Sequence, residues 1–165
     1  MFLDDLFPDQ LTASVYDLEW EKLSKSYKGV MFDIDNTLVP HGAAADERAI
    51  VLFARLKKLG MRTMLVSNNK EKRVRPFAEC LKTEYVYKAG KPKLRGYKEA
   101  LHRLGTEPKH TLFVGDQVFT DVWGANRTGM HTILTEPVDP STDEIQIVVK
   151  RWFEWPFKKA KGVKT

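Results

Sequence analysis

Disulfide bonds and zinc sites are the first features that this sequence excludes. Its 165 residues include one cysteine, Cys80, which rules out an internal disulfide framework and a metal site built on paired cysteines. The four histidines show no pair at i, i+4 and no other spacing that holds zinc. We therefore interpret Cys80 and the histidines as packing or surface residues.

Long hydrophobic segments are also missing. The chain has no run of about 18 apolar residues, so we expect no transmembrane helix. It begins with acidic residues instead of the basic segment that opens a secretory signal. It has no Gly-x-Ser-x-Gly motif, which excludes the nucleophile elbow of α/β-hydrolases. The expected compartment is the cytoplasm.

The charges are distributed in blocks. The net charge of +5 by itself suggests a polyanionic partner. However, residues 150–165 contain six basic residues and one acid and so carry the whole excess, whereas residues 1–21 contain six acids and no base. Residues 70–98 contain ten Lys and Arg against three Glu. The chain is therefore a neutral body with local charge blocks, one of which is a basic tail.

Strand and helix patterns alternate along the chain. Short apolar runs bounded by turn residues predict strands at 30–32, 61–66, 85–87, 111–114 and 131–134. Helical patterns fall at 46–59, 70–81, 93–104, 118–127 and 143–152. This alternation indicates an α/β fold of three layers, with a mainly parallel sheet of about five strands between helices. We assign residues 1–150 to a single domain and residues 151–165 to a basic, aromatic tail.

Polar residues follow the predicted strands. Asp33 and Asp35 come after the first strand, Ser67 after the second, Lys91 after the third and Asp116 after the fourth. The carboxyl ends of parallel strands meet at one edge of a sheet, and ligands bind there, so we expect these side chains to converge. Two-residue spacing on extended backbone also points Asp33 and Asp35 the same way.

Adjacent carboxylates repel one another and are costly to hold together without a cation. Asp33, Asp35, Asp116 and Asp121 offer only oxygen atoms, a ligand set that suits a hard ion such as Mg²⁺. Ser67, at the start of a predicted helix, and Lys91 are suited to phosphate oxygens. Each motif alone is typical of a turn, a helix cap or a surface lysine. Together, at four strand ends, they favour a metal-dependent phosphate site.

These motifs resemble, in order and in strand placement, the four motifs of the haloacid dehalogenase (HAD) superfamily. The motifs are DIDNTL at 33–38, SN at 67–68, KP at 91–92, and GD at 115–116 with Asp121. More narrowly, the whole chain is similar to subfamily IIIA phosphatases of the YqeG type and to mitochondrial-type phosphatidylglycerophosphate phosphatases. The segments behind this closer similarity include LFPDQLTASVYDL, YKAGKP and GDQVFTDVWGANRTGMHTILTEPV. The resemblance implies a HAD-like, Rossmannoid fold.

The resemblance also implies a mechanism. Asp33 would be the nucleophile that forms an aspartyl-phosphate, and Asp35 would protonate the leaving oxygen and then activate water. Mg²⁺ would be held by the Asp33 carboxylate, the Asp35 main-chain carbonyl and Asp116, with Asp121 orienting a metal-bound water or Lys91. The implied phosphate-binding residues are Ser67, Asn68, Lys91 and Thr37. Asn36 is expected to support them.

HAD phosphatases usually carry a cap domain, for which this sequence has no room. Only 31 residues separate Asp35 from Ser67, and only 23 separate Ser67 from Lys91; each gap holds one helix and one strand. An open site favours a large or surface-bound phosphate ester, and the resemblance implies phosphatidylglycerophosphate. The tail interleaves Trp152 and Phe153 with Lys and Arg, a composition typical of membrane interfaces. We therefore expect peripheral binding at the inner face of an anionic membrane.

Alternatives to these expectations stay open. The tail aromatics would equally pack the last helix onto the domain, and the acidic N-terminal stretch would cover a face of the body or pack on a neighbouring subunit. The substrate would be a soluble sugar phosphate or nucleotide if a homo-oligomer interface supplied the lid. A binding factor for RNA or an acidic protein is disfavoured, since it has no need of Asp33, Asp35 and Asp116.

Overall fold

A computed structural model describes residues 2–159 of the chain. Within that range it contains six strands: β1 Gln10–Thr12, β2 Gly29–Phe32, β3 Arg62–Val66, β4 Glu84–Val86, β5 Thr111–Gly115 and β6 His131–Thr135. Six α-helices lie in the same range: α1 Trp20–Ser26, α2 Glu47–Lys58, α3 Glu71–Leu81, α4 Leu94–Leu104, α5 Trp123–Asn126 and α6 Ile145–Lys159. A π-helical turn, Val118–Val122, leads directly into α5. The sequence predicts one continuous α-helix at 118–127, whereas the structure has this π-helical turn followed by the short helix α5.

The strands form one parallel sheet in the order β1-β6-β5-β2-β3-β4. The α/β fold with a parallel sheet is confirmed, but the sheet has six strands where the sequence predicts about five. The additional strand is β1, which pairs with β6 through Gln10 and Ile133. Its three residues are too short a segment to show an apolar run of their own, so only the pairing reveals it.

The N-terminal extension covers the domain. Beyond β1, the side chain of Trp20 on α1 is fully buried, and its indole Nε1 donates a hydrogen bond to the Val15 carbonyl at 3.1 Å. Leu6 is buried against Val118 and Leu134. Of the two expectations for the acidic stretch, the structure shows that it covers a face and an edge of the body.

Each face of the sheet is buried by its own set of helices. Val30 and Phe32 of β2 pack with α1, α2 and α3 on one face, whereas Met31 packs with α4 and α5 on the other. Because both faces are covered, the central strands are continuous apolar runs, and all four residues of β2 are buried. The burial of both faces explains why apolar runs in the sequence predict these strands.

Sheet order and chain order diverge at β2, which lies between β3 and β5. The chain runs outward from β2 through β3 and β4, then crosses to β5 and β6 on the other side. In open parallel sheets the crevice beyond such a switch point receives ligands. The ends of β2 and β5 therefore border the crevice in which a ligand is expected.

No cap interrupts this core. The segment between β2 and β3 contains α2, and the segment between β3 and β4 contains α3. Helix α6 runs across the predicted boundary between residues 150 and 151, and the tail residues Lys161 and Lys164 lie outside the described range. Among the helices of residues 2–159, none combines the length and apolar character needed to span a bilayer.

Phe53 and Val51 on α2 provide a matched test of this packing. The Phe53 ring lies 5.1 Å from the Phe32 ring and its residue is 3% exposed, whereas Val51 is 59% exposed. Phe53→Ala is expected to lower the free energy of unfolding by about 3–5 kcal/mol through loss of burial and creation of a cavity. Val51→Ala should change it by no more than about 0.5 kcal/mol. Urea unfolding measures both; equal effects would contradict the assigned core.

Candidate active site

The register of the central strands brings the polar strand ends to one level. Phe32 pairs with Leu65 on one side and with Val114 on the other, so β2, β3 and β5 end together. The main-chain N–H of Asp33 then bonds to the Val114 carbonyl at 3.0 Å, and that of Ser67 bonds to the Val86 carbonyl at 3.0 Å. The predicted convergence of these residues follows from this register.

Three carboxylates form a buried cluster at this edge. Oxygen atoms of Asp33, Asp116 and Asp121 all lie within 4.8 Å of one another. The Lys91 ammonium bridges two of them: its Nζ is 2.9 Å from Asp33 Oδ1 and 2.7 Å from Asp121 Oδ1. Lys91 itself is buried, so both ion pairs are shielded from water. Lys91 and Arg151, which pairs with Asp116, supply two positive charges against three carboxylates.

The electrostatics of the cluster reflect this imbalance. Burial, reinforced by Asp121 and Asp116, raises the pKa of Asp33 well above its ordinary value despite the nearby Lys91. Burial and the charge of Asp121 raise the pKa of Asp116 to about 6. Burial alone would lower the pKa of Lys91, but the Asp121 and Asp33 carboxylates outweigh it and raise that pKa. The site therefore favours the charged form of Lys91 and the protonated forms of Asp33 and Asp116.

Asp121 is fixed from two directions. Its Oδ2 accepts hydrogen bonds from the main-chain N–H groups of Asp116 and Gln117, each at 3.1 Å. Gly115 makes this approach possible, because a Cβ at that position would collide with the Asp121 carboxylate. With its other oxygen on Lys91, Asp121 links the β5 end to the lysine.

The Asp35 carboxylate faces the same pocket but lies outside the cluster. It accepts hydrogen bonds from the Gly42 N–H at 2.8 Å and from Asn69 Nδ2 at 2.6 Å, and it pairs with Arg73 Nη2 at 2.8 Å. Burial acts to raise the pKa of Asp35, but Gly42 and Arg73 outweigh it and lower that pKa. These contacts therefore hold Asp35 as the carboxylate.

Like Lys91, the other three predicted phosphate-binding side chains have protein partners. The Asn68 amide both accepts from the Lys91 N–H at 2.7 Å and donates to the Lys91 carbonyl at 3.0 Å, so it fixes the lysine loop. The Thr37 hydroxyl donates to Asp116 Oδ1 at 3.1 Å. The Ser67 hydroxyl accepts from the Asn69 N–H at 3.1 Å and lies at the pocket wall.

Asn36 joins the β2 loop to the segment before α6. It adopts a left-handed backbone conformation with φ at 58°, which asparagine tolerates better than most residues. Its side chain accepts from the Asp139 N–H at 2.9 Å and donates to Asp143 Oδ1 at 2.5 Å. The C-terminal segment is thereby attached to the loop that follows the nucleophile candidate.

A pocket of about 180 Å³ opens in front of the cluster. Its lining includes Asp33, Ser67 and Lys91 at the strand ends and Ile147 and Lys150 of α6. Helix α6 thus forms a wall of the site in a protein that has no cap between its motifs. The volume accommodates a phosphate group and a small part of an attached leaving group.

The donor set fits a hard divalent cation. Asp33, Asp116 and Asp121 supply carboxylate oxygens in a compact buried group, without a sulfur or imidazole ligand among them. Burial, reinforced by repulsion between the carboxylates, raises the pKa values of Asp33 and Asp116. A bound cation would relieve the repulsion that the protein's own residues leave uncompensated.

Several residues of the site are not predicted from the sequence. Arg73 lies within the basic stretch 70–98, but nothing local distinguishes it from the other bases there. Arg151 of α6 contacts Asp116, and Asp143 contacts both Asn36 and Arg151. The composition pointed to the tail as a separate basic segment, so it gave no signal that Arg151 reaches the acidic cluster.

Comparisons with known proteins agree with this geometry. Residues 88–137 match the model of the HAD-hydrolase-like family. The chain is 38% identical over 136 residues to the probable phosphatase YqeG of Bacillus subtilis, across 81% of this chain and 79% of that protein. It is 27% identical over 158 residues to the chloroplastic phosphatidylglycerophosphate phosphatase 1 of Chlamydomonas reinhardtii. That alignment covers 89% of this chain and 59% of the algal protein.

A solved structure shares the fold. It is the 3-deoxy-D-manno-octulosonate 8-phosphate phosphatase of Moraxella catarrhalis, in complex with a magnesium ion, a phosphate ion and KDO. Its TM-score is 0.52 at 16% sequence identity, over 87% of this chain and 92% of that chain. At this identity the likeness concerns the arrangement of the backbone.

The raised pKa of Asp116 makes a pH dependence measurable in metal-free buffer. Its ordinary value is 3.8 and its folded value is about 6, so the folded protein binds the proton more tightly between these limits. The stability that this proton provides is present at low pH and is lost as pH rises through about 6. Asp116→Asn cannot ionise. The melting temperature of this variant minus that of the wild type should therefore increase from about pH 4 to about pH 7.

Thermal unfolding in EDTA gives this difference directly. The exposed Asp17→Asn serves as the control and should show a constant difference across the same range. A constant difference for Asp116→Asn as well would contradict the unfavourable ionisation of the buried carboxyl.

Proposed function

This chain belongs to the HAD-like phosphatases of the YqeG type, and from that premise we propose a Mg²⁺-dependent phosphomonoesterase that acts through an aspartyl-phosphate on a phospholipid. The observation that carries the proposal is the buried cluster of Asp33, Asp116 and Asp121 around Lys91, in front of a pocket sized for a phosphate. Phosphate monoesters are the substrate class of the family.

Asp33 is the proposed nucleophile. Its carboxylate lines the pocket and contacts the Lys91 ammonium, which also faces that space. Attack of an Asp33 oxygen on phosphorus expels the alcohol and leaves the phosphoryl group on the aspartate. Lys91 and Ser67, both at the pocket wall, would hold the non-bridging oxygens, because a cation and a hydroxyl donor offset the charge developing there.

Asp35 is the proposed acid and base. In the free protein Gly42, Asn69 and Arg73 stabilise its carboxylate form, which is the form that accepts a proton from water in the second half of the reaction. An arriving phosphate anion repels that charge and favours protonation. The protonated Asp35 would then donate to the leaving oxygen in the first half.

Mg²⁺ is the proposed cation, and Asp33 and Asp116 with the Asp35 carbonyl would hold it. When bound, it screens the anionic nucleophile from the anionic phosphate and polarises the phosphoryl oxygens. Asp121 would orient Lys91 or a water molecule, in keeping with its hydrogen bond to Lys91. The magnesium and phosphate in the structure of the Moraxella relative support this choice.

Phosphatidylglycerophosphate is the proposed substrate. The support is the similarity to the algal phosphatidylglycerophosphate phosphatase, of which this chain spans about three fifths, and the lack of a cap in the described core. A cap that closes over a small substrate would exclude a lipid headgroup held in a bilayer. An open pocket admits the headgroup while the acyl chains stay in the membrane.

The outer surface of α6 supports a lipid-bound substrate. Five exposed residues with helical spacing form an outer apolar stripe: Ile145, Val148, Val149, Trp152 and Phe153. Trp152 and Phe153 are 77% and 70% exposed, and the stripe lies on the helix that also lines the pocket. Exposed aromatics next to basic residues such as Lys150 are typical of segments that dock on anionic membranes.

A substrate panel tests the proposed chemistry. Phosphatidylglycerophosphate in mixed micelles should be hydrolysed with a higher kcat/KM than glycerol phosphate, sugar phosphates or nucleotides. Asp33→Asn should reduce turnover of every substrate by about three orders of magnitude or more, because no neighbouring group replaces the nucleophile. The exposed Asp17→Asn is the matched control. A soluble ester as the best substrate would refute the lipid assignment, and an active Asp33→Asn would refute the nucleophile.

Vesicle sedimentation tests the outer apolar stripe. The double variant Trp152→Ser, Phe153→Ser is expected to bind phosphatidylserine-containing vesicles at least about 10-fold more weakly, since each aromatic ring contributes about 1.5–3 kcal/mol on burial. Ile50→Ser, Val51→Ser removes two exposed apolar residues from α2 and should leave binding unchanged. Unaltered melting temperatures show that both variants are folded. Equal binding by wild type and stripe variant would contradict the membrane surface.

A further inference from the structure

The C-terminal helix reaches the acidic cluster through one side chain. The Arg151 guanidinium forms an ion pair with Asp116 Oδ2 through Nη2, and its Nη1 donates to the Asp116 main-chain carbonyl at 2.9 Å. Arg151 therefore contacts the carboxylate and the backbone of the same residue. Its side chain is 13% exposed and that of Asp116 is fully buried, so water competes little for these contacts.

We propose that Arg151 is a positioning residue for the metal site: it fixes the rotamer of Asp116, so that α6 contributes directly to divalent-cation affinity. This inference rests on the proposed metal site. An aspartate side chain that is free to rotate loses that freedom when its carboxylate binds a cation. If the protein has already restricted the torsion, the loss does not count against binding.

Arg151 does not belong to the wall of the pocket in front of the cluster. The pocket in front of the cluster is lined by Asp33, Lys91 and Gln117 among others, but not by Arg151. Arg151 instead borders a separate cleft with Trp152 and Glu136. Arg151 therefore does not line the pocket proposed for the substrate, and Mg²⁺ titration distinguishes a positioning role from competition with the cation.

Both Asp116 oxygens are held by a hydrogen bond, and each can still accept a further contact. Thr37 donates to Oδ1 and Arg151 to Oδ2, and each carboxylate oxygen has a second lone pair available. Partners of this kind, which hold a metal ligand by its remaining hydrogen-bonding positions, typically change metal affinity by about 10- to 100-fold when removed.

Arg151 is itself held in place. Its Nε donates to Asp143 Oδ2 at 2.5 Å, and Asp143 in turn accepts from Asn36 at 2.5 Å. Three residues further along the same face of α6, the buried Glu154 accepts from the Phe119 N–H at 3.0 Å, and Phe119 belongs to the π-helical turn that carries Asp121. The guanidinium is thus preorganised before any cation binds.

A lysine could not make the same set of contacts. The guanidinium is planar and rigid, and its fork meets a carboxylate oxygen, a main-chain carbonyl and a second carboxylate at once. An ammonium on a flexible stem would supply the charge but not the fixed angle between these partners. The geometry therefore predicts a difference between Arg151→Lys and the wild type that charge alone would not produce.

Isothermal titration of the full chain with MgCl₂ tests this role. Arg151→Gln is expected to weaken Mg²⁺ binding by about 10- to 100-fold, and Arg151→Lys to weaken it by a smaller factor. Arg55→Gln is the matched control, because Arg55 also pairs with a carboxylate, Glu21, but on the exposed surface of α2. It should leave Mg²⁺ affinity unchanged.

A second readout separates positioning from simple loss of stability. The Mg²⁺ concentration that gives half-maximal hydrolysis of p-nitrophenyl phosphate should rise for Arg151→Gln, while the rate at saturating Mg²⁺ recovers. If Arg151→Gln melts well below the wild type, the same two quantities are measured for Arg151→Lys, which retains the charge.

The outcomes distinguish this inference from the proposed function. Unchanged Mg²⁺ affinity in both Arg151 variants overturns the positioning role, and so does tighter binding, which would mean that Arg151 competes with the cation. Asp116→Asn is titrated alongside as the reference for the site itself. If that variant binds Mg²⁺ as the wild type does, the metal site and with it the proposed function fail.

Discussion

Three buried carboxylates held within a few ångströms of one another are the constraint on which the rest of this structure depends. Their desolvation and mutual repulsion oppose folding unless positive charge and N–H or O–H donors are brought to them. Lys91 arrives from the segment after β4, Thr37 from the loop after β2, and Arg151 from α6. Each compensating group belongs to a different element, so the cluster couples the parallel sheet to both the loops and the C-terminal helix.

Helix α6 has an unusual distribution of side chains for this reason. Its domain-facing side carries Arg151 and the buried Glu154, whereas the outer apolar stripe faces away from the domain. A surface helix normally buries its apolar side. Here part of the inner side meets the Asp116 carboxylate and the Phe119 main-chain N–H of the π-helical turn, contacts that apolar residues cannot make. The apolar side is therefore exposed, and a lipid surface beside the pocket would cover it in keeping with the proposed phospholipid substrate.

The parts of the fold that the sequence predicted are those with a local cause. The runs around Met31, Leu65 and Phe113 are apolar because both sheet faces are covered, and so each strand after the N-terminal extension was recognisable. Strand β1 was missed because its existence depends on pairing with β6, far along the chain. Within the site, Thr37 and Asn68 have the predicted proximity, but the structure engages them with Asp116 and with the Lys91 backbone.

Hydrophobic periodicity and turn residues are local properties, so they predict the order of strands and helices and the polar residues at the strand ends. This order is enough to place Asp33, Asp35, Ser67, Lys91 and Asp116 at one edge. Which donor meets which carboxylate depends on the folded chain. Lys91 and Asp33 are 58 residues apart, and Arg151 and Asp116 are 35 apart. Ion pairs at such separations leave no periodic signal, since their geometry exists only once the register of the sheet and the docking of α6 are set.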